Sequence, residues 1–223
     1  MKKKFKNFVF EEFACPLCHN NDYEILCKTR SFNISVNISI CKACGFVYLN
    51  PRWTDDSYNQ FYQKAYDDYA ERNRNSHSEI KRYSVIINRI DKLMSFGKNK
   101  SINILDIGAG MGNGLKTFKT KYKNSNLFAI EPSKEGQYNL KKHDIKNISN
   151  NADSNWEKTK NKFDIVVMRH VLEHLSHPEK ILSKIYKTLS SQGCFYISVP
   201  NLDYPYLPSS KSWFTVFHIL YFL

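Results

Sequence analysis

Glycine and proline are scarce in this chain, at eight and seven of 223 residues. No low-complexity linker and no internal repeat breaks it up. Long hydrophobic runs are also missing. Nothing reaches the ~18 consecutive apolar residues of a membrane-spanning helix, so none is expected. The opening MKKKFKNFVFEEF is basic but has no apolar stretch: Lys6 and Asn7 interrupt it, and Glu11 and Glu12 close it. That pattern does not read as a signal peptide, and a reducing, cytoplasmic setting is expected. Acidic residues are in deficit, 21 against 33 Lys and Arg, for a formal net charge of +12. An excess of this size favours an anionic partner, whether nucleic acid, a nucleotide-linked substrate or a membrane surface. The lysines are scattered rather than gathered into a stripe, so solvated faces account for them equally well. A hydrophobic content of 42%, with 14% aromatic residues, is enough for one mid-sized core and a small appendage.

Four of the few glycines are concentrated in ILDIGAGMGNGL, at Gly108, Gly110, Gly112 and Gly114. They follow an apolar run ending in Asp106 and precede a helical pattern. A strand–glycine loop–helix unit of this kind approaches a nucleotide. The dinucleotide fingerprint GxGxxG fails here, because its third glycine falls on Asn113 or Leu115. A phosphate-loop GKS or GKT is also absent. The spacing is Asp106-x-Gly108-x-Gly110-x-Gly112.

The six cysteines include two CxxC pairs, Cys15-Pro-Leu-Cys18 and Cys41-Lys-Ala-Cys44. Each CxxC turn aims two sulfurs at one point, and two turns joined by a hairpin provide a tetrahedron of thiolates suited to structural zinc. Strands are expected at Tyr23–Lys28 and Asn33–Ile40, in a zinc-ribbon layout. The alternatives are a redox dithiol or unrelated buried cysteines. A closed four-cysteine site leaves no coordination position for catalysis. Cys27 and Cys194 read as core residues.

A small zinc-ribbon-like module is therefore expected over residues 1–55, and a helical linker over 56–97. In the linker Tyr58, Phe61, Tyr62, Ala65, Tyr66 and Tyr69 recur at helical spacing, and a second amphipathic helix over 78–95 carries Ile80, Tyr83, Ile86, Ile87, Ile90 and Met94. The tyrosine stripe reads as packing, with a hydroxyl reaching a substrate pocket as the alternative. Over 98–201, strands at 102–107, 126–131, 145–148, 163–169 and 193–199 alternate with helices at 113–122, 133–143 and 178–189. The fold class is α/β: a Rossmann-like, doubly wound parallel sheet.

LDIGAGMG resembles the first motif of class I S-adenosylmethionine (SAM)-dependent methyltransferases, and further segments follow in that family's order over residues 100–201. FAIEPS puts Glu131 at the end of the second strand, where the resemblance implies a carboxylate for the ribose hydroxyls. Asp153 in NNADS falls where the family contacts the adenine amino group. FDIVVMRHVLEHLSHPEKIL and GCFYISVPN resemble the fourth and fifth strands. The implied cofactor-binding residues are Asp106, Gly108, Gly110, Gly112, Glu131 and Asp153. SAM has no phosphate, so glycines that let the backbone lie close serve it without an anion cradle.

The CxxC…CxxCG module joined to this core resembles nucleotide-sugar C-methyltransferases and related enzymes of surface-polysaccharide synthesis. The resemblance implies a nucleotide-linked sugar as acceptor and His218, in His218-Ile-Leu-Tyr221-Phe222, as general base. Thr215 and Phe217 replace the tyrosine and glutamate that precede that histidine in the family, which keeps O-methylation open beside C-methylation. An aromatic packing segment is the other reading of this stretch. His170 is the second catalytic candidate, after the fourth strand, where the family lines its methyl-transfer site. A quinone O-methyltransferase comparison, in which Glu-Val-Leu-Glu-His binds a metal, meets His170 in place of the first glutamate. Glu173 and His174 are read as capping the following turn. The family's sixth and seventh strands would follow residue 223, so residues 202–223 read as the start of an incomplete C-terminal part, with a partner chain as one possible source of the missing strands. Methylation of RNA or of another, quinone-like small molecule and a non-catalytic truncated remnant are the alternative functions. The ribbon segment SFNISVNISI has neither charge nor aromatic rows, which argues against nucleic acid.

Overall fold

The computed structural model describes residues 8–31, 34–64, 77–94, 96, 101–158 and 162–199. The chain divides into two compact units. One holds the residues up to Asn59 together with the separate segment Leu172–Glu179; the other holds Gln60–Val171 and Lys180–Ser198.

In the first unit, β1 (Phe10–Glu11) is followed by a meander of β2 (Tyr23–Ser31), β3 (Ile34–Cys41) and β4 (Val47–Leu49), and then by β5 (Arg52–Trp53). The meander is antiparallel, with Tyr23 opposite Cys41 and Ile40 opposite Val47. β1 pairs antiparallel with β5. Two-residue strands carry no readable alternation, and this pair went undetected in the sequence. Among the described residues, two small apolar clusters lie in this unit. Val36, Ile38 and Leu49 form one; Cys15, Cys41, Phe46 and Tyr48 form the other. Aromatic residues supply much of the volume: Tyr48 stacks on Phe46 at 6.1 Å between centroids and meets Phe13 edge-on at 5.6 Å. Arg52 is buried. Its guanidinium lies 3.8 Å from the Phe13 ring centroid, and Nη1 donates to the Ser176 carbonyl at 3.2 Å. The Ser176 hydroxyl donates to Asp55. Segment Leu172–Glu179 is thereby fastened to residues more than a hundred positions earlier.

Helix α1 (Asp55–Lys64) begins after Thr54, whose hydroxyl accepts from the Ser57 amide. Of the tyrosine stripe, Tyr58 lies in this helix. The side chains of Phe61 and Tyr62, and residues Ala65, Tyr66 and Tyr69, fall outside what is described. Helix α2 (His77–Leu93) follows.

The second unit then alternates β6 (Asn103–Ile107), α3 (Asn113–Lys121), β7 (Asn126–Ile130), α4 (Lys134–Lys142), β8 (Lys146–Ser149), β9 (Phe163–Arg169), α5 (Pro178–Thr188) and β10 (Leu189–Ser198). The strands form one parallel sheet in the order β10-β9-β6-β7-β8. β6 and β9 are near-continuous apolar runs because helices cover both faces of a parallel sheet. Ile104, Ile165 and Val167 pack with Tyr83, Ile86, Ile87 and Ile90 of α2 and with Leu115, Phe118 and Leu140. The alternate residues Leu105, Ile107, Val166 and Met168, equally buried, occupy the other face. Ile80, expected on the apolar side of α2, is exposed. The final strand begins at Leu189, ahead of the expected Gly193, and a register shift between Leu189 and Cys194 absorbs the early start. Cys27 and Cys194 are half-buried at the rims of their cores.

Candidate functional site

The strand order fixes where a ligand would sit. From β6 the chain winds outward through β7 and β8, then returns to the other side of β6 with β9 and β10. The order reverses between β6 and β9, and open α/β sheets bind ligands outside the carboxyl ends of the strands at that point. The glycine loop leaves β6 there, and His170 directly follows β9 there.

The loop is held by the end of β7. The Gly108 amide donates to the Ile130 carbonyl at 2.8 Å. The Gly110 amide donates to Glu131 Oε2 at 2.6 Å, and the Ser133 amide to Glu131 Oε1 at 2.9 Å. Glu131 is only 1% exposed. Asn147 of β8 steadies the same corner, its Oδ1 accepting from the Glu131 amide at 3.0 Å. Asn139 Nδ2 donates to the Met111 carbonyl at 2.6 Å and pins the far end of the loop.

Gly108, Gly110 and Gly112 all have positive φ, at 76°, 53° and 68°. At Gly108 a Cβ would lie 2.3 Å from Val171 Cγ2, so glycine is required for packing as well as for conformation. At Gly110 a Cβ would meet nothing within 4 Å, so the loop leaves room for a ligand at that point. Gly112 caps α3 and packs near Leu140 and Ile145.

Asp106 sits at the end of β6 and is 1% exposed. Tyr83 donates its hydroxyl proton to Asp106 Oδ2 at 2.8 Å, while Oδ1 has no hydrogen-bond partner among the described residues. Burial pushes this carboxyl up to about 7, and the negative charges of Glu131 and Glu79 add to the rise. The Tyr83 hydroxyl and Arg169 oppose it. The Arg169 guanidinium stands 4.8 Å over the Tyr83 ring and pairs with Glu79 at 3.2 Å. Tyr83, Arg169 and Asn147 are site neighbours that the sequence did not single out. A tyrosine on an apolar helical stripe reads as packing, and only its pairing with a strand-end aspartate could have marked it.

Asp153 lies exposed on the loop after β8, its amide donating to Asn151 Oδ1. His170 is exposed with φ 51°, an uncommon conformation for a residue with a Cβ, and its amide donates to the Ser198 carbonyl. Glu173 and His174 form a 3-10 turn with Leu172 in the first unit. His218 lies outside the described residues.

The cysteines form a second centre. Sγ of Cys15 is 3.6 Å from that of Cys44, and Sγ of Cys18 is 3.5 Å from that of Cys41. All four sulfurs lie within 4.8 Å of one another. The two turns repeat one design. In each, the residue after the second cysteine, His19 or Gly45, has positive φ and donates to the carbonyl of the first cysteine at 2.8 Å. The amide of the first cysteine, Cys15 or Cys41, then donates to the residue five ahead, at 2.9 and 2.8 Å. Burial raises the Cys41 thiol, but backbone amides of Cys44 and Ala43 and the neighbouring thiols outweigh it and bring it to about 7. A tetrahedron with metal–sulfur bonds of about 2.3 Å has edges of about 3.8 Å. The observed spacings fit such an ion.

The donor set at the sheet's ends suits an uncharged or cationic nucleoside: two buried carboxylates, one with an oxygen unsatisfied, and a loop with no lysine. Comparison with known proteins bears on the family and the fold. The sequence model of the family described as "Methyltransferase domain" matches residues 69–219, well over half of the chain. No curated protein matches the chain. Among solved structures, the plantazolicin methyltransferase BpumL in complex with S-adenosylhomocysteine (SAH) is 20% identical, with a TM-score of 0.50 over 63% of this chain and 56% of that one. A putative SAM-dependent methyltransferase from Methanococcus maripaludis is 18% identical, with a TM-score of 0.49 over 61% of this chain and 63% of that one. Coclaurine N-methyltransferase, bound to N-methylheliamine and SAH, is 16% identical, with a TM-score of 0.44 over 52% and 35%. The chain thus spans about half the length of the plantazolicin enzyme. With the family match over residues 69–219 and the five-stranded parallel sheet in agreement, the chain belongs to the methyltransferase domain family and has its Rossmann-like fold.

Proposed function

We propose that this protein transfers a methyl group from SAM to a small acceptor, a nucleotide-linked sugar or a precursor of surface polysaccharide, at carbon or oxygen. The observation carrying the cofactor assignment is the Gly110–Glu131 clasp beside the sheet's switch point, 2.6 Å long, with the Glu131 carboxylate buried. When bound, SAM supplies an electrophilic methyl on its sulfonium and leaves as SAH. Glu131 is suited to accept hydrogen bonds from the ribose hydroxyls, since each carboxylate oxygen already bonded to an amide keeps a second lone pair. Asp106 offers its unsatisfied oxygen to the ammonium of the methionine part. Gly108, Gly110 and Gly112 let the backbone approach, and Asp153 stands on the loop assigned to the adenine amino group. His218 or His170 takes the proton that the acceptor's O–H or C–H gives up. Neutral imidazole is suited to that near pH 7. Orientation of acceptor and methyl in line supplies most of the rate enhancement.

The sugar assignment rests on the four-cysteine module joined to the core, and we assign that module a structural Zn2+ on Cys15, Cys18, Cys41 and Cys44. Calorimetric titration of zinc-replete protein with SAM and SAH, and with NAD as control, tests the cofactor. Saturable binding of both without NAD binding is expected; NAD binding alone would overturn the reading. A screen of nucleotide-linked sugars for methyl incorporation then tests the acceptor. Incorporation only into RNA or peptide would replace the sugar by that class.

A further inference from the structure

We propose that Tyr83 is a positioning residue: it fixes the Asp106 carboxylate as acceptor for the ammonium of the bound cofactor, with Arg169 and Glu79 holding Tyr83 in place. This rests on the SAM reading above. Tyr83 is buried in α2, and its ring is confined on three sides. A Cβ on Gly114 would come within 2.2 Å of the ring, so the absent side chain makes the space the ring occupies. Phe118 meets it edge-on at 6.4 Å. The Arg169 guanidinium covers it at 4.8 Å, and Arg169 is anchored in turn by Glu79 at 3.2 Å. A phenylalanine would fill that volume without a polar atom. The hydroxyl instead donates to Asp106 Oδ2, and that bond stops the carboxylate from rotating.

One oxygen is thus occupied, and the other, Oδ1, is buried with no hydrogen-bond partner among the described residues. A buried carboxylate with an unsatisfied oxygen is unfavourable until a donor arrives, and a cationic donor relieves it most. The groups acting on Asp106 come from every packed element: Tyr83 and Glu79 on α2, Arg169 on β9, and Glu131 just after β7. The tyrosine hydroxyl and the guanidinium favour its ionised form, the two glutamates the protonated one. Tyr83 itself stays neutral, because burial and the adjacent carboxylate hold its ionisation far above the ordinary phenol range. It acts as a fixed donor.

The experiment compares two ligands across pH 5.5 to 9 by calorimetry. SAH carries the ammonium; 5′-methylthioadenosine has the same adenosine and sulfur but no amino-acid part. For Tyr83→Phe, SAH should bind about tenfold more weakly near pH 7, and the acidic limb of its affinity profile should move up by about one pH unit. Methylthioadenosine should be unaffected. In an Asp106→Asn background, Tyr83→Phe should add nothing. An unmoved acidic limb, an equal loss for both ligands, or the full effect persisting without Asp106 would each overturn the proposal. If Tyr83→Phe does not fold, Arg169→Lys, which keeps the charge but loses the planar cover over the ring, should shift the limb in the same direction by less; no shift there would also overturn it. A parent protein that binds methylthioadenosine but shows no acidic limb for SAH refutes the role of Tyr83 alone. One that binds neither ligand refutes the cofactor reading as well.

Discussion

At the scale of single residues, Asp106 and Glu131 illustrate opposite uses of burial. Both are 1% exposed. Glu131 has two amides on its two oxygens and serves as a brace between loop and strand. Glu131→Gln would present an amide nitrogen to one of those N–H donors. The variant is expected to bind SAM at least tenfold more weakly and to melt several degrees lower, as read by calorimetry and thermal unfolding. Asp106 is under-satisfied, and its acidity is shifted from 3.8 to about 7. A carboxyl whose value is raised on folding destabilises nothing below its unfolded value. It lowers stability progressively as pH climbs to the folded value, and the loss is constant above that. Asp106→Asn should therefore gain on the parent between pH 4 and 7, reaching on the order of 2–4 kcal/mol, with a flat difference above pH 7. Denaturant melts at several pH values would show it; a difference independent of pH would contradict it. Both acids were singled out by the resemblance of LDIGAGMG and FAIEPS to methyltransferase motifs. The sequence did not disclose Tyr83, whose hydroxyl is invisible to a periodicity argument that counts only its ring.

At the scale of elements, the second unit was legible nearly throughout. Parallel strands buried on both faces leave long apolar runs, and helices leave their 3.6-residue stripe. The short elements were not legible. β1, β4 and β5 have two or three residues, too few for any pattern, and are defined by pairing across the first unit. Gly114 shows how local preference yields to packing. In a helix, Gly→Ala is ordinarily stabilising by about 1 kcal/mol. Here the added Cβ would fall 2.2 Å from the Tyr83 ring, which Phe118 and Arg169 keep from retreating. Overpacking of this kind costs about 1–3 kcal/mol and outweighs propensity. Gly114→Ala should be less stable than the parent in urea unfolding, and in a Tyr83→Ala background the same substitution should cost less, because the clash is gone.

At the scale of the whole molecule, the two units differ in what holds them. The second has a continuous apolar core. The first has two small clusters and four sulfurs within 4.8 Å. Little apolar area is available to so small a unit, and a metal would supply what the core lacks. Removing metal with a chelator should therefore speed amide hydrogen exchange at Cys15–Cys44 while β6, β7 and β9 keep their protection. Exchange should also rise at Leu172–Glu179, because Arg52 holds the Ser176 carbonyl. Mass spectrometry of exchanged peptides resolves these regions, and unchanged exchange at Leu172–Glu179 would show that the Arg52 anchor does not depend on the metal. No sequence pattern joins residues 124 positions apart, so this attachment could not have been foreseen.

The discontinuity of the first unit bears on how such proteins can be rearranged. Cutting the chain near Asn59 and grafting a different amino-terminal module onto the remainder would leave Leu172–Glu179 behind, with the Ser176 carbonyl and hydroxyl stripped of Arg52 and Asp55. A workable exchange would have to carry both pieces together. A chimaera that exchanges the module without that segment should therefore unfold at lower urea than one that exchanges both.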